Sequence, residues 1–344
     1  MSELGTGGRL LVVLGGDEGS KAADPGHFRV AGNSDVFKLI PESFKYERLK
    51  LRWQDLRQNL RPDLSRFDCV LNLVTDPDQH PKTLDAAGKL LRGYRGRVIN
   101  PPAAVMRTTR DQVAKRLAGI SGMRVPQVVR LHNPKPGAAS KAAARAALAF
   151  PLIVRRAGTH TGRIVGVVDD PEGLDAACSG RGEFILIEFA DFRSDDGLYR
   201  KYRLWSFAGR TIFRHMIVTD DWNVHVKDRT GFMVDRPELI DEELRLMERL
   251  DGAFPATVHA VFDAVRPRLG LDFFGMDFGI DSRGEVVLFE ANATMSFFPL
   301  EPHPRFAYLG RLREPAQDAF WSMLFGGGRS VDPSHRLATG VVKY

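Results

Sequence analysis

The sequence contains very few cysteines, only Cys69 inside the apolar run FDCVLNLV and Cys178 among 344 residues. Two isolated thiols predict neither a disulfide framework nor a cysteine metal site. Long apolar runs are lacking too, because LLVVL near the start is far too short for a signal or membrane helix and no basic cluster precedes it. We therefore expect a cytoplasmic protein with no membrane partner.

A strong charge imbalance is also lacking. The chain has 49 Lys and Arg residues against 43 Asp and Glu, a formal charge of +6. The basic residues are spread along the chain without a recognised nucleic-acid motif, so no nucleic-acid partner is expected, and an anionic small ligand explains the excess equally well. With 43% hydrophobic and 27% charged residues, the composition is typical of a globular protein of two or three domains.

Short apolar runs that end at turn residues alternate with helical segments over the first hundred residues. RLLVVLGG, FDCVLNLV and GRVINPP predict strands, and KTLDAAGKLLRGY predicts a helix. This order predicts a small, mostly parallel α/β domain over residues 1–105. Later helices and hairpins predict an α+β unit over 106–190 and a larger unit over 191–325, with a GGGRS linker and tail over 326–344.

The stretch GMDFGIDSRGEVVLFEAN, residues 275–292, predicts two antiparallel strands joined by a turn. Because alternate residues of a strand share a face, Glu290 and Asn292 point the same way. A two- or four-residue loop would place Asp277 on this face beside Glu290, whereas a loop of odd length would separate them. Three oxygen ligands on one face suit Mg²⁺; the alternative is that they are solvent-facing positions of an ordinary hairpin.

The letters Asp-Phe-Gly at 277–279 also spell the magnesium-binding motif of protein kinases. A kinase of that family would need an HRD-type loop upstream and a GxGxxG loop near the start, and the sequence has neither. The glycine turn in LGGDEGS likewise lacks the GKS or GKT ending of a P-loop. Neither a protein kinase nor a P-loop enzyme is therefore expected.

Four segments, taken in order, resemble the ATP-grasp superfamily, and in particular its branch containing ribosomal-protein glutamate ligase and glutathione synthetase. They are VINPPAAVMRTTRDQVAKRLAGISGMRVPQVVRL, FPLIVRRAGTHTGRIVGVV, FILIEFAD and GLDFFGMDFGIDSRGEVVLFEAN, and the resemblance extends to about residue 300. It implies an ATP-grasp fold that combines α/β and α+β parts, with a Rossmann-like pre-ATP-grasp domain at the N-terminus. ATP is then expected between two α+β subdomains.

The resemblance also implies roles for individual residues. Arg155 stands where the family has a phosphate-binding lysine, and the turn 158–162 stands where the family has a loop that covers the phosphates. Glu188 matches a position on the strand that borders the adenine. Arg214 and Asn223 match residues that reach the transferred phosphate and acyl group, and a solvated strand position is the alternative for Arg214. The implied set is Arg155, Gly158, Thr159, His160, Thr161, Gly162, Glu188 and Phe189 for ATP, Arg214 and Asn223 for catalysis, and Asp277, Glu290 and Asn292 for Mg²⁺ or, alternatively, Mn²⁺.

The implied reaction is ATP-dependent C–N ligation, in which a carboxylate is phosphorylated to an acyl phosphate, an amine attacks it, and ADP and phosphate are released. Small-molecule or peptide carboxylates and amines are the expected partners, and a homodimer is one expected state because relatives commonly dimerise. The alternatives are an ATP-grasp small-molecule kinase and a catalytically silent nucleotide-binding protein. The catalytically silent alternative is suggested by three departures from the family pattern, at Gln112, Arg155 and Lys201.

Two pairs of residues near turns receive further interpretations. Asp17 and Glu18 follow the first predicted strand, at an edge that in ATP-grasp proteins often faces the acid substrate, so both are substrate-side candidates. His215 and His225 lie near a predicted hairpin and are interpreted as surface residues. Metal binding or substrate contact is the alternative for the two histidines.

Overall fold

The first of the three sheets in the described part of the chain is fully parallel, with strand order β2–β1–β3–β4. The structure, a computed structural model, describes residues 9–17, 32–54, 62–158, 164–248, 254–300 and 303–326. The strands of this sheet are β1 (Leu10–Gly15), β2 (Glu47–Leu51), β3 (Cys69–Asn72) and β4 (Arg97–Ile99), with helices α1 (Pro81–Leu90) and α2 (Pro102–Val105) after β3 and β4. All of β1 and β3 is buried, as in inner strands of a parallel sheet, and the expected α/β arrangement is confirmed.

The second sheet is antiparallel, with strand order β6–β9–β7–β8. Leu152 and Val154 point into a core formed with two helices, so Ile153 and Arg155 lie on the opposite face of the same strand. That opposite face forms one wall of the candidate site. The elements of this part are α3 (Arg110–Leu117), β5 (Met123–Arg124), β6 (Val128–His132), α4 (Ala138–Arg145), β7 (Leu152–Arg156), β8 (Ile164–Val168), α5 (Pro171–Ala177) and β9 (Glu183–Glu188).

The third sheet has the order β11–β10–β12–β13–β5, and only its β13–β5 pairing is parallel within the described chain. Its long strands are almost entirely buried because helices and the polypeptide after β13 cover them. The elements are β10 (Tyr199–Phe207), β11 (Arg210–Thr219), a π-helical turn (Arg229–Met233), α6 (Pro237–Glu248), α7 (Ala256–Leu269), β12 (Phe273–Ile280), β13 (Val286–Asn292) and α8 (Arg313–Phe325), with short 3₁₀ helices at Asp35–Leu39 and Pro304–Leu312.

Polar contacts tie the first sheet to the other two. The Asn100 side chain donates to the Phe273 carbonyl oxygen at 2.8 Å and accepts from the Phe273 backbone N–H at 3.1 Å. Arg130 of β6 pairs with Asp78, which precedes α1, at 2.9 Å. These contacts hold the three sheets around a common cavity.

In the ranges that the structure describes, no helix is long and apolar enough to cross a membrane.

Candidate active site

The β12–β13 hairpin brings two of the predicted metal-binding carboxylates face to face. Its loop has five residues, 281–285, an odd length that by itself would align Asp277 with Phe289 and turn Glu290 to the other face. A β-bulge shifts the register by one residue at this point, so that Asp277 pairs directly with Glu290. The loop thus has the odd length that was expected to separate the two carboxylates, and that expectation is wrong because the bulge puts both on one face.

Four side chains stand side by side across this face of the third sheet. The strand register pairs His215 of β11 with Arg203 of β10. Arg203 in turn pairs with Asp277 of β12, which pairs with Glu290 of β13. Neighbouring strands are about 4.8 Å apart, so the row extends roughly 14 Å from the histidine to the glutamate. Arg110, the first residue of α3, continues it through a 3.0 Å ion pair with Glu290.

Asp277 is held by a two-pronged ion pair. Arg203 donates from Nε to Oδ1 at 2.5 Å and from Nη2 to Oδ2 at 2.7 Å, and its Nη1 donates to the Ser296 carbonyl oxygen at 3.1 Å. An ionised carboxylate offers about four acceptor positions. The arginine fork uses one on each oxygen, so Asp277 keeps one on each oxygen for a cation.

Glu290 is oriented by neighbours on both of its oxygens. Oε2 pairs with Arg110, and Oε1 accepts a hydrogen bond of 2.8 Å from Asn292 Nδ2. Asn292 Oδ1 accepts from the backbone N–H groups of Thr294 and Met295, both at 2.9 Å, which uses both of its lone pairs. In this arrangement Asn292 positions Glu290 and offers no oxygen to a metal; its role as a third ligand stays a prediction.

The carboxylate pair suits a magnesium ion that is completed by a substrate. In the described part of the chain, no group of three or more His, Cys, Asp or Glu side chains could hold a metal. Mg²⁺ commonly takes only one or two carboxylates and completes its octahedron with phosphate oxygens and waters. Asp277 and Glu290, two hard oxygen ligands directly opposed on neighbouring strands, fit that requirement.

A cavity of about 480 Å³ lies between the second and third sheets, within the usual size range of small-molecule sites. Its wall on the second sheet includes the apolar side chains Ile153, Ile164 and Ile187. The wall on the third sheet includes the row from His215 to Glu290. Phe189 and Trp222 also line it, packed edge to face with ring centroids 5.4 Å apart. The cavity therefore offers apolar and aromatic surface opposite a charged surface.

A smaller cavity of about 60 Å³ adjoins the first and shares Arg110, Arg155 and Glu290 with it. It extends to Asp76 and Asp78 beside the first sheet. Within the described residues, Arg155 has no hydrogen-bond or ion-pair partner. Burial and the neighbouring Arg110 charge lower the pKa of Arg155 to about 10, which leaves it charged at neutral pH. A partly buried cation without a counter-ion suits a phosphate ligand.

No protein-family model matches the sequence, and no curated protein matches it. Solved structures do match the fold. VanG D-Ala:D-Ser ligase from Enterococcus faecalis aligns with a TM-score of 0.52 at 16% identity, over 92% of this chain and 100% of that chain. N5-carboxyaminoimidazole synthetase from Staphylococcus aureus, solved with ADP, aligns with a TM-score of 0.51 at 12% identity, over 96% of this chain and 80% of that one.

The chain has the ATP-grasp fold. At such low identity the likeness concerns the fold alone. Within this ATP-grasp structure, the residues predicted from the sequence gather around the two cavities. Those lining the larger cavity are Arg155, Glu188, Phe189, Arg214, Asn223, Asp277 and Glu290, whereas Gly158 and Asn292 line the smaller one. The predicted loop residues Thr159, His160, Thr161 and Gly162, and the candidate Glu18, lie outside the described residues.

The strand predicted to border the adenine is anchored by its own carboxylate. Glu188 Oε2 accepts from the Gln127 backbone N–H at 3.2 Å, and Oε1 accepts from that of Ala149 at 3.0 Å. The Gly158 carbonyl oxygen accepts from Gln79 Nε2 at 3.1 Å, which ties the start of the glycine-containing turn to the first domain. Both contacts position backbone at the edges of the two cavities.

The two predicted catalytic residues differ in burial. Arg214 is buried at the β11 bulge, where Nε donates to the Phe297 carbonyl oxygen at 2.6 Å and Nη2 donates to that of Pro299. The alternative of a solvated strand position is therefore wrong. Asn223 is exposed in the loop after β11, and its backbone N–H donates to Asp221 Oδ1 at 2.7 Å. Both side chains nevertheless line the same cavity.

Two interpretations made from the sequence change in the structure. Asp17 is buried and caps α1, since its oxygens accept from the backbone N–H groups of Lys82 at 3.0 Å and Thr83 at 2.7 Å. His215 was expected at the surface but is only 8% exposed, because β11 is covered on both faces. His225 is partly buried and lines the larger cavity with it.

Sequence reasoning overlooked two residues of the site, Arg110 and Trp222. Gln112, at a position where the family pattern has a basic residue, is exposed and lines neither cavity. Arg110, two residues earlier in the same helix, lines both and pairs with Glu290. Trp222 has only polar residues as its immediate neighbours in TDDWN, a pattern that could have indicated a ligand-facing aromatic ring.

Proposed function

We propose that this protein is an ATP-dependent ligase that joins a carboxylate to an amine. The observation that carries the proposal is the directly opposed pair Asp277 and Glu290 in the wall of a cavity that also contains Arg155, a cation with no partner among the described residues. A carboxylate pair for a metal next to a free cation is an arrangement that suits a polyphosphate. The fold supports this, because it is shared with an ADP-bound synthetase.

In the proposed complex, the adenine lies between the isoleucine wall of the second sheet and the Phe189–Trp222 pair. The phosphates then extend toward Arg155 and the carboxylate pair. Mg²⁺ at Asp277 and Glu290 supplies charge neutralisation and alignment of the phosphates when it is bound. The turn from Gly158 to Gly162 is proposed to cover them with backbone N–H groups.

The proposed reaction has two steps. First, a carboxylate oxygen of the acid attacks the terminal phosphorus of ATP, the bond to ADP breaks, and an acyl phosphate forms. The amine then attacks the acyl carbon, phosphate leaves, and the nitrogen loses a proton. Arg155 and Arg214 are assigned to the negative charge that builds up on the phosphoryl and acyl oxygens, and Asn223 to positioning the acyl group.

An ADP-release screen tests the proposal. Purified protein, Mg²⁺ and ATP are combined with panels of carboxylates and amines, and products are identified by mass spectrometry. The expected result is ADP release that requires both an acid and an amine, with one condensed product for each ADP. A stable phosphorylated acid without condensation would show the kinase instead. Failure to bind either ATP or ADP in calorimetry with Mg²⁺ would exclude both enzymes and leave the silent protein.

A further inference from the structure

A carboxylate of the first domain holds the segment that follows β13. The backbone N–H of Phe297 donates to Asp35 Oδ1 at 2.8 Å, and that of Phe298 donates to Oδ2 at 3.0 Å. Asp35 is the first residue of the short 3₁₀ helix Asp35–Leu39 and lies 262 residues before Phe297 in the chain. Each of its oxygens thus accepts one N–H from two consecutive residues of a distant segment.

The carbonyl groups of the same segment accept from two arginines in the wall of the larger cavity. The Ser296 carbonyl oxygen accepts from Arg203 Nη1 at 3.1 Å. The Phe297 carbonyl oxygen accepts from Arg214 Nε at 2.6 Å, and that of Pro299 accepts from Nη2 of the same arginine. The segment therefore lies between Asp35 on one side and two guanidinium groups on the other.

Two peptide units connect these contacts. The carbonyl group of Ser296 and the N–H of Phe297 belong to one peptide unit, and the carbonyl group of Phe297 and the N–H of Phe298 belong to the next. A peptide unit is planar and rigid, so a contact that fixes the direction of its N–H also fixes the direction of its carbonyl group. Each oxygen of Asp35 therefore orients, through one peptide unit, the carbonyl group that one arginine binds.

Both arginines belong to the candidate site. Arg203 holds both oxygens of Asp277, at 2.5 and 2.7 Å, and Arg214 lines the larger cavity. The guanidinium of Arg203 is planar, so its bond to the Ser296 carbonyl oxygen and its fork on Asp277 are set together. A shift of that carbonyl group would turn the fork and the carboxylate with it.

Asp35 itself is partly buried and lines neither of the two cavities, whereas Ser296, Phe298 and Pro299 line the larger one. A ligand that fills the cavity therefore touches the held segment but not the carboxylate that holds it. Residues that orient a metal ligand from behind are often as important for metal affinity as the ligand itself.

We propose that Asp35 is a positioning residue that orients two arginines of the cavity wall through the peptide units at 296–298. Through the first unit it sets Arg203 and thereby Asp277, and through the second it sets Arg214. The first domain in this way contributes to the geometry of the metal pair without contacting it.

This inference rests on the proposed function only in taking Asp277 and Glu290 as the metal pair. Its test is a binding measurement that requires no turnover. A protein that forms no condensed product could still depend on Asp35 for binding ADP with Mg²⁺, and an active ligase could bind it without that dependence, so the two proposals can fail separately.

Calorimetry on the full chain, with ADP in Mg²⁺ and with ADP in EDTA, tests the inference. The quantity compared is the gain in ADP affinity that Mg²⁺ provides. The test variant is Asp35→Asn, because an asparagine of nearly the same shape has one acceptor oxygen, and its NH₂ group would face the second backbone N–H.

Asp17→Asn is the matched control. The oxygens of Asp17 also accept one backbone N–H each from two consecutive residues, Lys82 at 3.0 Å and Thr83 at 2.7 Å. These contacts cap α1, and Asp17 lines neither of the two cavities. The control thus loses the same kind of contact in the same domain without a connection to the arginines, and urea denaturation shows whether each variant is folded.

We expect Asp35→Asn to lower the Mg²⁺-dependent gain about tenfold, at the lower end of the usual loss when a residue that orients a metal ligand is changed. ADP affinity in EDTA should stay close to that of the wild type, and Asp17→Asn should keep the wild-type gain. A purely structural role would instead weaken ADP binding equally in Mg²⁺ and in EDTA.

The inference is overturned by an unchanged gain in Asp35→Asn, by equal losses in Asp35→Asn and Asp17→Asn, or by equal losses in Mg²⁺ and EDTA. A wild type whose ADP affinity gains nothing from Mg²⁺ would overturn it together with the metal pair. Should Asp35→Asn not fold, Asp35→Glu takes its place, since it keeps both acceptor oxygens but displaces the two peptide units by its longer stem. A reduced gain in Asp35→Glu supports the inference, and an unchanged gain overturns it.

Discussion

The substitution Glu290→Gln should separate catalysis from folding. Glutamine keeps the shape of the side chain, and its carbonyl oxygen can still accept from Asn292 Nδ2, so the packing of β13 is preserved. The negative charge opposite Asp277 is lost, and with it half of the proposed metal-binding pair. We therefore expect a folded protein with little turnover.

The structure sets the size of each effect. The ion pair lost with Arg110 involves side chains that are 18% and 30% exposed, so it is partly screened by solvent. Unfolding free energy should fall by about 1 kcal/mol or less, a small part of the roughly 5–15 kcal/mol that stabilises a typical protein. A metal ion stabilises transition-state charge by several kcal/mol; losing about 3–4 kcal/mol of this lowers kcat/KM roughly 100- to 1,000-fold.

The assay is ADP release at varied Mg²⁺ concentration, accompanied by urea denaturation of each variant. Glu285→Gln is the matched control, because Glu285 lies in the loop of the same hairpin, carries the same charge and lines neither cavity. It should retain wild-type turnover. Wild-type kcat/KM in Glu290→Gln, or an equal loss in both variants, would refute the role assigned to the hairpin.

Three further predictions concern buried groups. Glu243 is 0% exposed, and Glu243→Gln leaves the buried Arg229 charge without its carboxylate partner. The free energy of unfolding, measured by urea denaturation, should fall by about 3–5 kcal/mol. An unchanged denaturation midpoint would contradict the role of this ion pair. Asp17→Ala removes the α1 cap and should lower the free energy of unfolding by about 1 kcal/mol while ADP release stays unchanged. Lost activity at unchanged stability would instead support a role of Asp17 in substrate binding. His215 stays neutral when folded, since burial and Arg203 lower its pKa, but protonates in the unfolded chain below about pH 6.5. Wild-type stability should therefore fall relative to His215→Leu by up to about 1.4 kcal/mol per pH unit below that value, measured by denaturation at several pH values, and parallel curves would contradict it.

Local patterns in the sequence were sufficient for the strands and for part of the site. The runs LLVVL and CVLN predicted buried parallel strands because inner strands of a parallel sheet are apolar on both faces. The period of two residues predicted that Glu290 and Asn292 share a face, and their hydrogen bond is consistent with that prediction. Both conclusions depend on neighbours along the chain.

Contacts between distant segments were not predictable in this way. Arg110 reaches Glu290 because α3 packs beside β13, 180 residues later in the chain, and nothing in the TTRDQ sequence indicates that contact. His215 was expected at the surface, yet the covering of β11 by other segments buries it. The alternation of residues along a strand shows which residues share a face, but not whether that face is covered.

The sequence by itself determined the order of strands and helices, the resemblance to ATP-grasp proteins, and the oxygen-bearing residue types suited to a magnesium ion. Only the tertiary structure decided that Asp277 faces Glu290, because a five-residue loop alone would have separated them and a bulge at Phe289 restores the pairing. It also decided that Lys201 and Arg214 donate to backbone carbonyl oxygens in the wall of a cavity. The physical reason is that strand register and charge pairing depend on hydrogen bonds and packing between segments far apart in the chain.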